Sequence, residues 1–265
     1  NKCVVAVDIE QPFSDVPTIE SSQTEVAGLV VANVNSTYLV LTSSSLLEPG
    51  MNYIVRLSDE VQTEAAFVCR NTASGIGIVS INASKLTAQQ RNSIAVAQLD
   101  NSYMVKQGDL VIASGKLYET SKGVSYGTIA GSKVEYSKDS GYEVFETSVS
   151  ITAGGFAILF NSEGNVVGVS KASTDTSTKF IGISDLKAQI ETMINKHGIM
   201  YCGITGQNVT EELAAKYGLP SGVYISNVDI DSPAYYAGLQ AGDVISVING
   251  QSILTIQQFS EKLYQ

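Results

Sequence analysis

Histidine is almost missing from this chain of 265 residues, in which His197 is the only one. Chemistry that passes a proton through an imidazole therefore has one residue to draw on. Cysteine is scarce and odd in number: Cys3, Cys69 and Cys202 are widely separated and show no CxxC spacing, which argues against a zinc site and against a dense disulfide framework. At most one bridge can form. Cys3 and Cys69 lie in apolar runs (CVVAV, AAFVC), where buried thiols are the expectation. Basic residues are outnumbered, 16 to 26, and the formal charge of −10 repels phosphate backbones and anionic lipid. Nucleic acid is not an expected partner. No run approaches the roughly 18 apolar residues needed to cross a bilayer, and the start, NKCVVAV, is neither a Met nor a signal peptide, so membrane attachment would need an anchor that these residues do not supply. No acidic cluster has metal-ligand spacing: DIDSPAYY lacks the Gly and the Glu of an EF-hand loop, and ASGIGIVS does not complete GxGxxG. No cofactor or metal is expected.

What remains is a composition for folding, with 44% hydrophobic and 16% charged residues. The first 180 or so residues carry short β-like runs, among them CVVAVDI, VAGLVVANV, TYLVLTS, NYIVRLS, AAFVCR, GIGIVSI, DLVIASG, FAILF and NVVGVS, separated by Gly, Asn, Asp and Ser. Such spacing belongs to sandwiches and barrels. A polar stretch, SKASTDTSTK, precedes a helical pattern in SDLKAQIETMINKHG. There Leu186, Ile190, Met193 and Ile194 share a face, Ser184 or Asp185 is the N-cap and Gly198 the stop. His197 sits at the end of this connector, where the helix C-terminus favours a cation, and a structural or solvated role is expected for it. Beyond it come a strand (YCGIT), a helix (TEELAAKYG), a strand (GVYISNVD), a short helix (SPAYYAG), paired strands (DVISVINGQSI) and a last helix (TIQQFSEKLYQ), a separate α+β module.

The stretch SPAYYAGLQAGDVISVING, with YCGI before it, resembles the PDZ domain attached to HtrA/Deg proteases. YLVLTSSSLLEPGMNYIVRLSDE, VKQGDLVIASG, GVSYGTIAG, ITAGGFAILFNSEGNVVGVS and IGISDLKAQI resemble, in order, segments of that family's trypsin-like domain and its exit helix. The resemblance covers nearly the whole chain. It implies a mainly β protein: a trypsin-like double six-stranded β-barrel (1–98 and 99–182), a linker helix (183–198) and an α+β PDZ domain (199–265) truncated at its C-terminal strands.

Carried over position by position, the resemblance puts the family's catalytic histidine at Ser45 and its aspartate at Gly75. The serine falls at Gly155 or Phe156, according to where a one-residue shortening is placed. All three positions are vacated, and serine attack needs a base within about 3 Å and a third group to orient that base. In the PDZ module the resemblance assigns the amides of Cys202, Gly203 and Ile204 to a terminal carboxylate, Thr205, Gly206 and Gln207 to a peptide-pairing strand, and Ile256 and Ser260 to the groove wall. Phe259 and Leu263, one turn apart, are the expected core pair.

The expectation is therefore a pseudoprotease that binds C-terminal or unfolded peptide segments as a sensor or scaffold. By resemblance it is extracytoplasmic, in the bacterial envelope or secreted, and assembles as a trimer. One alternative is a serine hydrolase with a displaced nucleophile among Ser43, Ser44 and Ser45, served by Lys106 or Lys116. Another is a structural subunit of an HtrA-like oligomer.

Overall fold

A computed structural model of the chain describes residues 2–10, 25–58, 61–117, 123–171, 177–195 and 198–265. The chain divides into two compact units.

The first unit (1–132, 145–184 and 193–197) is built around two closed barrels of six strands each. Strands β1 (Val4–Glu10), β2 (Val26–Val34), β3 (Thr37–Ser43), β4 (Asn52–Ser58), β5 (Val61–Asn71) and β6 (Ile76–Asn82) close in the order β1-β2-β3-β6-β5-β4. Strand β5 alternates half-buried Val61, Thr63 and Ala65 with exposed Gln62, Glu64 and Ala66, the period of a strand wet on one face. β3 instead is buried from Tyr38 to Ser43. Val7, Val30, Val40, Tyr53, Val55 and Val79 fill the barrel, and β-branched side chains suit that pleated interior. A short helix, α1 (Ala88–Asn92), follows, held by a capping box between Thr87 and Gln90.

The second barrel takes β7 (Leu110–Gly115), β8 (Gly123–Ser137), β9 (Ser140–Ile151), β10 (Ala157–Phe160), β11 (Val166–Ser170) and β12 (Ser177–Gly182), closed in the order β10-β11-β12-β9-β8-β7. Val111, Ile129, Phe145, Val149, Leu159 and Phe180 form its core. A parallel bridge between Leu99 and Val166, with Val166 N–H donating to Gln98 O at 2.8 Å, ties the segment between the barrels to β11.

The connector begins as a 3₁₀ turn (Ile183–Leu186) and becomes α2 only over Lys187–Ile194. The two expected N-caps are engaged elsewhere: Ser184 Oγ accepts from Ser102 N–H at 2.8 Å, and Asp185 Oδ2 accepts from Glu143 N–H at 2.6 Å. Leu186, Ile190 and Met193 are buried as their spacing requires. His197 lies outside the described residues.

The second unit holds 198–265, which the sequence sets apart as a module, together with 133–144 and 185–192. Its sheet is β13 (Ile204–Asn208), β14 (Val223–Val228) and β15 (Val244–Ile245), with β16 (Val247–Ile248) and β17 (Gln251–Ser252) as a separate hairpin. Helices α3 (Glu211–Tyr217), α4 (Pro233–Tyr236) and α5 (Ile256–Leu263) are each capped at the N-terminus by a hydroxyl, from Thr210, Ser232 and Thr255. Gly218 closes α3 in the left-handed conformation. Ile204, Val223, Ile225, Ala234, Ile253 and Phe259 are core, with Leu263 packed against them, so Phe259 and Leu263 do pair inward. Residues 133–144 of this unit are the paired ends of β8 and β9 and the two-residue loop Lys138-Asp139 between them. Asp139 has φ of 56°, a left-handed value that Asp tolerates better than most side chains.

Candidate functional site

Two places answer to the sequence expectations, one in each unit. In the first unit, β3 ends in a 3₁₀ turn of Ser44–Leu46, where Ser44 is buried and Ser45 exposed. Ser43 caps this turn, and its hydroxyl lies 2.8 Å from that of Ser45. Ser44 N–H donates to Gly75 O at 2.9 Å, so the turn bearing Ser45 and the turn bearing Gly75 are brought together. Gly75 has φ of 78° and is buried.

Gly155 and Phe156 occupy the turn between β9 and β10. Gly155 N–H donates to Thr152 O at 2.9 Å, and Lys116 N–H donates to Phe156 O at 2.9 Å. Phe156 is fully buried. A Cβ on Gly155 would fall onto Lys116 O and lie 2.8 Å from Thr152 O, so no side chain of any kind fits there without a shift of backbone. The turn at Gly155 is closed around a bare backbone.

In the second unit, the loop Tyr201-Cys202-Gly203-Ile204 leads into β13. Its amides converge on a carboxylate. Asp139 Oδ2 accepts from Cys202 N–H and Gly203 N–H, both at 2.9 Å, and Asp139 Oδ1 accepts from Gly203 N–H and Ile204 N–H, both at 2.8 Å. Asp139 is only 6% exposed. A buried carboxylate is tolerable when donors surround it, and three successive amides form the concave nest that binds anions. Gly203 is required: its φ is 92°, and a Cβ would strike Ser232 Cβ and lie 2.6 Å from Ser232 Oγ.

The main chain around Asp139 follows the same edge. Asp139 N–H donates to Ile204 O at 2.8 Å, and Lys138 forms an antiparallel bridge with Thr205. Thr205, Gly206 and Gln207 pair with β14 on the opposite side. Beyond Asp139, Ser140 Oγ lies 2.9 Å from Ser260 Oγ, both buried, and a Cβ on Gly141 would strike Ile256 Cγ2. Ile256 is fully buried and belongs to the core cluster. The sequence-derived residues Cys202, Gly203, Ile204, Thr205, Ile256 and Ser260 thus all face one short segment, 138–141.

A second charge cluster flanks the loop. Lys138 Nζ pairs with Asp229 Oδ2 at 2.6 Å, and Tyr201 Oη donates to the same oxygen at 2.7 Å. Lys138, and then the tyrosine hydroxyl, hold the Asp229 carboxyl below its ordinary value, while Tyr201, as donor to a carboxylate, is pushed up to about 12. Burial, and secondarily the charge of Asp139, pushes the Cys202 thiol up to about 11. Burial alone pushes Cys69 to about 11. None of the three cysteines is in a disulfide, and Cys3 is the buried one. Among the described residues no group of acidic, histidine or cysteine side chains has metal-binding geometry, and no helix is long and apolar enough to cross a membrane.

Asp139 is the residue that sequence reasoning missed. A turn of Lys-Asp-Ser-Gly between the alternating runs VEYS and YEVF marks a hairpin, but nothing local says that its aspartate meets a loop more than sixty positions away.

Comparison with known proteins agrees with this architecture. The model of the trypsin-like peptidase domain matches residues 27–169, more than half of the chain. The PDZ domain model matches 224–265, beginning at β14 and so downstream of the amide loop. A probable periplasmic serine endoprotease, DegP-like, of Pseudomonas putida strain W619 is 28% identical over 83% of this chain and 47% of its own length. A protein of the same description from Halomonas elongata is 26% identical over 81% of this chain and 46% of its own. The chain therefore spans about half the length of these curated relatives. Among solved structures, the HtrA-type protease AlgW with a tripeptide covers 99% of this chain and 84% of its own, with a TM-score of 0.67 at 20% identity, a likeness of fold. Barrels, domain order and matched models together place the chain in the trypsin-like peptidase family, in the HtrA/Deg arrangement that carries a PDZ domain behind the peptidase fold.

Proposed function

We propose that this protein is a pseudoprotease: it captures peptides or unfolded segments by their free C-terminal carboxylate at Cys202, Gly203 and Ile204 and does not cleave them. The observation that carries the proposal is the convergence of three consecutive amides on a carboxylate, since what holds Asp139 Oδ1 and Oδ2 also fits the two oxygens of a chain terminus. Strand addition along Thr205, Gly206 and Gln207 would supply further main-chain bonds, and apolar Ile204 and Ile256 favour a hydrophobic last residue.

The missing catalysis follows from the other unit. By the resemblance Ser45, Gly75 and Gly155 take the positions of the family's triad, the only histidine of the sequence is His197, and the crowding around Gly155 supports the reading that no nucleophile is carried there. In subtilisin, a worked case, loss of the triad removes about a million-fold of rate. The Gly155 amide, already bonded to Thr152 O, is not free to serve as an oxyanion donor. Among the described residues the exposed Ser45 hydroxyl meets another hydroxyl, that of Ser43, which speaks against a displaced serine nucleophile.

An extracytoplasmic location and a trimer belong to the same proposal. The first is supported by relatives described as periplasmic, and light scattering of the purified chain checks the second. Peptide capture is tested by fluorescence polarisation of labelled decapeptides ending in Val or Phe. Free C-termini should bind saturably and amidated copies should not. Equal binding of both forms would contradict carboxylate capture.

A further inference from the structure

The amide nest holds a side chain of this chain itself. We infer that the β8–β9 turn is an internal ligand of the carboxylate loop, and that an incoming C-terminal peptide binds only by displacing Asp139. The inference rests on the peptide-capture proposal and concerns the regulation of that same site.

The mimicry is detailed. Asp139 gives the nest two carboxylate oxygens, and its own N–H donates to Ile204 O at 2.8 Å, as the last residue of an added strand does. Lys138, the residue before it, makes the antiparallel bridge to Thr205. A terminal residue would place its side chain beyond the carboxylate; here the continuing main chain fills that space, with Ser140 on Ser260 and Gly141 against Ile256. Gly141 is the only residue type that fits so close to Ile256 without displacing it. Carboxylate site, strand edge and side-chain pocket are thus each filled by consecutive residues. Lys138 adds a second fastening through its ion pair with Asp229, which Tyr201 of the loop also contacts.

The physical consequence is competition. A site whose competent state is only fractionally populated binds with an apparent affinity reduced by that fraction, and a mutation that empties the site removes the reduction. Displacement would also free the turn that closes β8 and β9.

Two measurements on the full chain decide the matter, in wild type, Asp139→Asn and Asp139→Gly, both replacements being compatible with the left-handed φ at this position. Hydrogen exchange reads occupancy without any ligand: the amides of Cys202, Gly203 and Ile204 should be protected in wild type and exchange at least about tenfold faster in the variants, while core amides of β14 are unchanged. Polarisation with the Val- and Phe-ended decapeptides reads access, and both variants should bind at least about tenfold more tightly than wild type. Equal exchange in all three proteins, or wild-type affinity matching that of the variants, overturns the inference. Exchange that depends on Asp139 with no binding to any form removes peptide capture as well, and leaves Asp139 a structural clasp with nothing to gate.

Discussion

The turns at Ser45, Gly75 and Gly155 and the loop at Cys202–Ile204 invite comparison, because the two kinds of site fail differently when sequence drifts. A triad is made of side chains, and the proposal is that here the barrels are closed and well filled while the side chains of the triad have been replaced. The amide loop is made of backbone, and it needs only a glycine at the crowded position and a strand to follow. Architecture can therefore outlive catalysis, whereas an anion nest survives as long as its backbone path does.

Several substitutions break or sharpen this contrast. The largest effect belongs to Gly203→Ala, which forces a Cβ against Ser232 in a left-handed conformation; roughly 2–3 kcal/mol of stability in the second unit and all terminus-dependent binding should be lost, read by thermal melting and polarisation. Gly155→Ser should cost about 2 kcal/mol or more by crowding Lys116 O and Thr152 O, and the double variant Ser45→His with Gly155→Ser should still hydrolyse nothing. Binding of C-terminal peptides should be untouched by that pair, which separates the two sites. Next comes Cys202, whose thiol at about 11 should react with iodoacetamide at pH 8 at least about tenfold more slowly than glutathione, and faster in Asp139→Asn, where one of the two causes of the shift is removed. The smallest effect is at Thr255, whose loss as N-cap of α5 in Thr255→Ala should cost about 1 kcal/mol.

Acid gives a further handle on the same unit. The Asp229 carboxyl is held below its ordinary 3.8 by Lys138 and Tyr201, so its contribution is complete above that value and is lost as pH falls through the lowered folded value. Exchange at the Lys138-Asp139 turn should accelerate below about pH 4, and Lys138→Met should weaken that acid dependence, leaving the smaller share due to Tyr201.

Much of the fold was legible because its signals are local. Short runs and Gly, Asn, Asp and Ser turns marked the strands, and TEELAAKYG and SPAYYAG gave α3 and α4, to which the structure adds the caps Thr210 and Ser232. The amide loop was expected only through the resemblance that YCGI carries; the φ of 92° at Gly203 is what the structure adds. The start of α2 was read differently from the structure because Ser184 and Asp185 cap well in isolation but bond to Ser102 and Glu143 in the fold. Asp139 was illegible for a related reason: an aspartate in a tight turn is ordinary, and its role comes from a contact between segments more than sixty residues apart.

The proposed contrast between vacated catalytic side chains and a working backbone site is tested most directly by treating the purified chain with a fluorophosphonate and, separately, with an unfolded protein, and reading both by mass spectrometry. No serine should become modified and no bond should be cut at any pH between 5 and 9. A covalent adduct on Ser45, together with cleavage at a defined bond that disappears in Ser45→Ala, would contradict the account.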